Sequence, residues 1–244
     1  MDLKRKPFYL DDTAIEWVNN TLNGLTEDEK IGQLFFPIGF STEKEYLNHL
    51  RSLGIGGLFF RPGVAEEVQQ TYEYMQRTSK VPLLTAANLE DGGNGSSLEG
   101  TAFGNQMAVA ATNQTSDAYT LGKIASSEGK AVGVNFGFSP VVDLDLNFRN
   151  PITNVRTYGS DVERVIKNAK EYIQAFHDNG IMTSIKHFPG DGVDERDQHL
   201  LTSINSLSVD NWKKTFGKVY QELIDFGSKA VMVGHIALWI CSKR

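Results

Sequence analysis

Cysteine is almost missing from this chain. Cys241 is the only one, so no disulfide within the chain can staple the fold. Also missing is any apolar run long enough to cross a bilayer. Met1 to Leu10 carries basic residues, but no apolar core of the signal-peptide kind follows, and the expected location is cytoplasmic. Positive charge is not in excess. With 24 Lys and Arg against 30 Asp and Glu the formal charge is -6, which gives no general attraction to nucleic acid or to an anionic membrane surface. A neutral or small polar ligand is the more natural partner. No Cys/His cluster has zinc spacing, and the tract Gly92-Gly93-Asn94-Gly95 lacks both the Lys-Ser/Thr of a phosphate loop and the G-x-G-x-x-G of a dinucleotide site. Neither a metal nor a cofactor is expected.

What the sequence does contain is an alternation of short apolar segments, bounded by Gly and Pro, with longer segments of helical period. That is the pattern of repeated β-α units. Six strands are predicted: Leu34 to Ile38, Gly57 to Phe60, Leu83 to Asn88, Val134 to Val142, Ile181 to His187 and Ala230 to Ile236. Helices are predicted at Glu43 to Leu53, Ala65 to Thr78, Ser116 to Val132, Asp161 to Asn179 and Val209 to Phe226. Asp161 and Ser208 suit N-caps, Gly180 and Gly227 suit C-terminal stops, and Thr26-Glu27-Asp28-Glu29 reads as a capping box opening an earlier helix. Phe35, Phe36, Phe59 and Phe60 are expected in the core or packed on helices.

Periodicity alone does not separate a (β/α)8 barrel from an open doubly wound sheet. The positions of polar residues favour the barrel, whose functional groups follow the C-terminal ends of several different strands. Glu90 follows the third predicted strand, Asp143 and Asp145 the fourth, Lys186 to His199 the fifth, and His235 ends the sixth. The expected fold is therefore α/β, of the (β/α)8 TIM-barrel type, incomplete at about six units and forming a single domain over residues 1–244.

The most chemically loaded stretch is Lys186-His187-Phe188-Pro189-Gly190, followed by Asp197-Gln198-His199. An imidazole there can exchange protons near neutral pH, and a carboxylate two residues away can fix its tautomer. Lys-His-Phe-Pro-Gly with a downstream Asp-x-His resembles the signature loop of glycoside hydrolase family 3, in its β-N-acetylhexosaminidase branch. Asn88-Leu89-Glu90-Asp91-Gly92-Gly93 and Arg156-Thr157-Tyr158-Gly159 resemble two further elements of that family, in the family's order.

The resemblance implies the barrel fold and a retaining hydrolase of β-linked N-acetylglucosaminides. It implies His199 as general acid/base with Asp197 orienting it, and Lys186, His187, Arg156, Glu90 and Asn88 as ligands of sugar hydroxyls. Asn88 departs from the family, which has Asp there. The family's nucleophile, an Asp in a segment resembling Ser-Asp-x-x-x-Met after a seventh strand, has no match, so the chain is expected to be C-terminally truncated and weakly active or inactive. The partner expected is a small glycan or amino sugar, with homodimerisation through the open barrel edge as one remedy for the missing strands.

Other readings compete. The chain can be a non-catalytic sugar-binding or interaction remnant, or, in a full-length relative, a glycoside phosphorylase. Lys186 and Arg156 can instead be solvated or pair with Asp143 or Asp145, Asp197 and His199 can lie on a surface loop without function, Glu90 can anchor the glycine turn through backbone amides, and His235 can be a satisfied structural histidine.

Overall fold

The computed structural model describes residues 2–6 and 8–238; Cys241 lies outside them. In chain order the elements are α1 (Asp12–Asn23), α2 (Glu27–Gly32), β1 (Ile38–Gly39), α3 (Lys44–Ser52), β2 (Gly57–Phe60), α4 (Ala65–Thr78), β3 (Leu84–Ala87), α5 (Gln106–Ala111), α6 (Thr115–Ala131), β4 (Phe136–Gly137), α7 (Val162–Asp178), β5 (Met182–Phe188), β6 (Ser203–Asn205), α8 (Val209–Lys214), α9 (Phe216–Phe226), β7 (Ala230–Val233) and β8 (Ile236–Leu238).

Local chemistry sets many of these boundaries. Thr26 Oγ1 accepts the Glu29 amide while the Glu29 carboxylate accepts the Thr26 amide, so the predicted capping box opens α2. Asp161 and Ser208 cap α7 and α8 through the amides of Arg164 and Asn211. Gly180 ends α7 at φ 72°, a backbone region that residues with a Cβ avoid.

The main sheet is parallel and runs β1-β2-β3-β4-β5-β7, each strand beside its predecessor in that series. A doubly wound sheet reverses its order at a switch point, whereas a barrel wall never does. Six consecutive strands of a barrel wall are therefore present, and β1 and β7 are not paired with each other. On the helix side, Leu58, Tyr72, Met75, Leu121, Tyr172, Phe176, Ile185 and Phe216 form one buried cluster. On the inner face Phe36, Phe59 and Phe136 surround Phe138, with ring centroids 5.2–5.6 Å from it.

Several predicted elements are shorter or divided. The first strand begins only at Ile38, because the Leu34 and Phe35 amides bond back to Ile31 and Gly32 in a turn that continues α2. Phe35 consequently faces solvent, while Phe59 and Phe60 are buried as expected. The fourth strand keeps two residues, since Pro140 has no amide to donate; pairing resumes where Val141 bridges Lys186 and the Val142 amide donates to the Lys186 carbonyl. The last predicted helix breaks at Thr215, whose hydroxyl bonds back to the Asn211 carbonyl at 2.8 Å. The last predicted strand divides at Gly234, and β8 leaves the main sheet to pair with β6. Helices α1 and α5 were not anticipated. Among the described residues no helix is long and apolar enough to cross a membrane.

The Tyr72 hydroxyl, buried under the sheet, donates to the Ala86 carbonyl at 2.8 Å and accepts the Phe60 amide at 3.1 Å. It thereby ties β2 to β3 from the helix layer. Tyr72→Phe leaves both backbone groups without that partner and should lower stability by about 1–3 kcal/mol in urea unfolding, with an unchanged m-value.

Candidate functional site

Because the main sheet is parallel, the ends of β3, β4 and β5 open on one side, and the segments that follow them meet there. The Glu90 carboxylate, three residues beyond β3, is gripped by Arg156 through Nε at 2.8 Å and Nη2 at 2.9 Å, a two-pronged pair. Arg156 ends a short turn (Asn154–Arg156) after β4 and also donates from Nη1 to the Ile152 carbonyl. Lys186, on β5 and 2% exposed, points its Nζ to Glu90 Oε1 at 2.5 Å and to Asn88 Oδ1 at 3.1 Å. Four predicted sugar ligands thus form one cluster. Arg156 and Lys186 pair with Glu90 rather than with Asp143 or Asp145, and Glu90 spends its oxygens on these cations rather than on the amides of the glycine turn.

Burial works against a charge on Glu90, but Lys186 first and Arg156 next overcome it and hold the carboxyl at about 2. Burial likewise pulls Lys186 down, with Glu90 opposing. Asp91 is raised by burial and then by Glu90 beside it, and its Oδ1 is buried without a hydrogen bond.

The fifth predicted sugar ligand, His187, sits in a second group. The Val141–Lys186 bridge carries Asp143 alongside it, and Asp143 Oδ2 lies 2.6 Å from His187 Nδ1. Asp143 Oδ1 accepts the amides of His187 and Asp191. A carboxylate in that position accepts, so Nδ1 carries the hydrogen and Nε2 is the ring nitrogen left for a ligand. Asp191, 1% exposed, accepts from Asn150 Nδ2 and from the Gly192 amide, and burial and then Asp143 raise its carboxyl.

Asp197 and His199 form a third group on the loop after β5. Asp197 Oδ1 lies 2.7 Å from His199 Nδ1 and accepts the His199 amide at 2.8 Å. Those two bonds, the amide's first, hold the Asp197 carboxyl below its ordinary value. The His199 side chain is 63% exposed, and its hydrogen bonds do not reach the Glu90 cluster. His235 is exposed and acts through its backbone amide, not as a buried structural histidine.

Sequence reasoning placed Asp143 at a strand end without pairing it to His187, and it missed Asn150, Asp191 and Gln198. An Asp closing the apolar run before it was a usable signal for Asp143; polar residues in a polar loop gave none for the others.

The family model described as Glycosyl hydrolase family 3 N terminal domain matches residues 26–243. The chain belongs to glycosyl hydrolase family 3. A beta-N-acetylglucosaminidase/beta-glucosidase of Cellulomonas fimi is 48% identical over 98% of this chain and 42% of its own length. A structure of the beta-glucoside phosphorylase BglX bound to 2FGlc superposes with a TM-score of 0.91 at 45% identity, covering 97% of this chain and 43% of that one. A family 3 beta-N-acetylglucosaminidase from Paenibacillus sp. str. FPU-7 gives a TM-score of 0.80 at 27% identity, over 88% of this chain and 43% of that one. The chain thus spans about two fifths of the length of these family members.

The Glu90 cluster couples stability to pH. Its carboxyl is lowered on folding from 4.5 to about 2, so the contribution is complete above about 4.5 and is lost as pH falls toward 2. Glu90→Gln removes it and strands two partly or fully buried cations, costing about 3 kcal/mol or more at neutral pH. Urea unfolding of both proteins should show the gap narrowing through that acid window; a gap that stays constant refutes the coupling.

Proposed function

We propose that these residues form the sugar-holding and acid/base part of a retaining family 3 enzyme that cleaves β-linked N-acetylglucosaminides or glucosides. The observation that carries this reading is Lys186. An ammonium enclosed to 2% exposure is costly to bury, and a buried ion cluster of this kind is weak as a source of stability. At the strand ends of a barrel wall, the same cost is understandable as preorganised hydrogen bonding to hydroxyls. Lys186 has three donor hydrogens, with Asn88 and Glu90 as two acceptors, so one is left for a ligand. Arg156, Glu90, Asn88 and His187 Nε2 would complete the hydroxyl contacts. Asn88 accepts from Lys186 through Oδ1 and presents an amide donor where the family's Asp has only acceptors, which bears on the choice of sugar.

In this reading His199 protonates the departing glycosidic oxygen and later accepts a proton from the incoming nucleophile, with Asp197 fixing the ring through Nδ1. Double displacement also requires a carboxylate on the opposite face of the sugar, and no segment of the 244 residues reads Ser-Asp-x-x-x-Met. Turnover by these residues alone is therefore weak or absent. A phosphorylase reading is favoured by the likeness to beta-glucoside phosphorylase BglX, and its chemistry is reasonable because an imidazole, unlike a carboxylate, does not repel phosphate. Under either reading, the outer sides of β1 and β7, unpaired among the described residues, are where the remaining strands of a longer polypeptide, or a second copy of this chain, would pair.

The test is chromophore release from an aryl β-N-acetylglucosaminide by the monodisperse chain, with and without phosphate, beside calorimetry with N-acetylglucosamine. Saturable binding without turnover is expected, weakened roughly tenfold or more in a folded Lys186→Met variant. A clear rate that vanishes in His199→Ala overturns the inactivity while supporting the site, and its dependence on phosphate separates phosphorolysis from hydrolysis. A folded chain that neither binds nor turns over refutes the proposal.

A further inference from the structure

The loop after β5 carries Asp197 and His199 toward solvent, but the residue between them turns inward. Gln198 is 4% exposed. Its Nε2 donates to Asp191 Oδ2 at 2.7 Å, and its Oε1 accepts the backbone amide of His235 at 3.0 Å. A carboxylate needs a donor and an amide needs an acceptor, so each end of this side chain has one workable identity. The space is fitted as well: a Cβ on Gly234 would stand 2.4 Å from Gln198 Oε1 and 3.2 Å from the His187 Cβ.

The bond to Asp191 continues inward. The Asp191 amide donates to Asp143 Oδ1 at 2.8 Å, and Asp143 Oδ2 holds His187 Nδ1 at 2.6 Å. Buried groups therefore run without interruption from the backbone of the exposed loop to the ring of His187, and through His235 to the segment joining β7 and β8. We infer that Gln198 is a positioning residue for the Asp197–His199 pair, locking the exposed loop to His187 through Asp191 and Asp143 and to the end of β7 through the His235 amide. The inference rests on His199 being the acid/base group, but its test uses neither sugar nor turnover, so the two readings fail separately.

The physical basis is geometric. Asp197 and His199 flank Gln198 directly, so fixing its side chain at both ends fixes the backbone from which the imidazole and its carboxylate project. Substitution by Leu leaves the Asp191 oxygen and the His235 amide without partners. Substitution by Glu keeps the shape but sets two carboxylates together, and only a protonated Glu can donate to Asp191 while accepting from His235. The charged groups around this position are Asp191 on the same loop, Asp143 beyond β4, His187 on β5, and Asp197 and His199 on either side; the His235 ring faces solvent.

The experiment is NMR on chain labelled with nitrogen-15 in backbone and histidine rings, reading amide exchange at residues 199–201, whose amides bond to Asp197, and the His199 Nδ1 signal that reports its bond to Asp197. In Gln198→Leu, exchange protection at those amides should fall roughly tenfold or more, and the His199 ring signal should move. In Gln198→Glu the same losses should occur at about pH 8 and reverse at about pH 5, relative to the unsubstituted chain at each pH, because burial and the facing Asp191 carboxylate raise the pair until it holds one shared proton. Unchanged protection and ring signal in a folded Gln198→Leu protein overturn the inference, as does a Gln198→Glu protein that stays displaced at about pH 5. If the Leu variant does not fold, the Glu variant decides the matter within one folded protein.

Discussion

A carboxylate enclosed between two cations is the interaction on which the rest of this structure turns. Glu90, Lys186 and Arg156 come from segments after β3, on β5 and after β4; Glu90 and Lys186 are enclosed enough that a lone charge on either is costly, and Arg156, partly exposed, closes the other side of the carboxylate. The charges offset one another only if the order of the strands and their register are right. A one-residue slip of β5 would turn Lys186 to the opposite face of the sheet and leave Glu90 with Arg156 only. The sequential parallel sheet and the polar cluster at its open end are thus one constraint seen at two levels. The sheet aims the charges, and the charges penalise other registers.

The split between what could and could not be read beforehand follows from the same point. Lys186 and His187 were legible because an apolar run ended in a Pro-Gly stop, and Glu90 because it too stood past a strand. Which residues pair with which was not legible. Lys186 meets Asn88 across 98 positions of sequence, and His187 meets Asp143 across 44, through a bridge at Val141 that propensity does not encode. Strand existence was readable from composition, while strand length was not. The Leu34 and Phe35 amides turn back to α2, and Pro140 interrupts β4, although both stretches are apolar enough to pass for longer strands. Gln198 marks the limit of such reading: amid Asp, Glu and Arg it resembles a solvated residue, and only Asp191 and the gap above Gly234 make it a buried one.

Two kinds of support hold the candidate site together. Of the residues proposed to hold sugar, Asn88, Glu90, Lys186 and His187 stand on or just beyond strands, where backbone pairing fixes them, and Arg156, on a turn well past β4, is fixed by Glu90 and the Ile152 carbonyl. The Asp197–His199 pair stands on a loop with its imidazole in solvent, yet that loop is not loosely attached. The Ile204 amide donates to the Asp194 carboxylate at 2.7 Å, Asn205 donates to the Gly190 carbonyl, and β6 pairs with β8. Both ends of the loop are therefore pinned while its tip is open. This suits the acid/base role proposed for His199, since the group must exchange protons with water or a leaving group while the sugar below stays fixed.

The division also bears on how self-contained the Glu90 cluster is. Strand-borne groups depend on neighbouring strands, and the Glu90 cluster draws only on β3, β4, β5 and the segments after them. All of these are interior to the six-stranded sheet. Among the described residues β1 and β7 each have one neighbour in this sheet, so a change at either outer side disturbs that edge before it disturbs this cluster. His187 is closer to that edge, because β5 pairs directly with β7 and Gly234 packs against its Cβ. The part of the site most sensitive to what lies beyond β8 is accordingly the His187–Asp143–Asp191 group. Completion of the barrel would act there first, on the side where a carboxylate from a seventh strand would have to arrive.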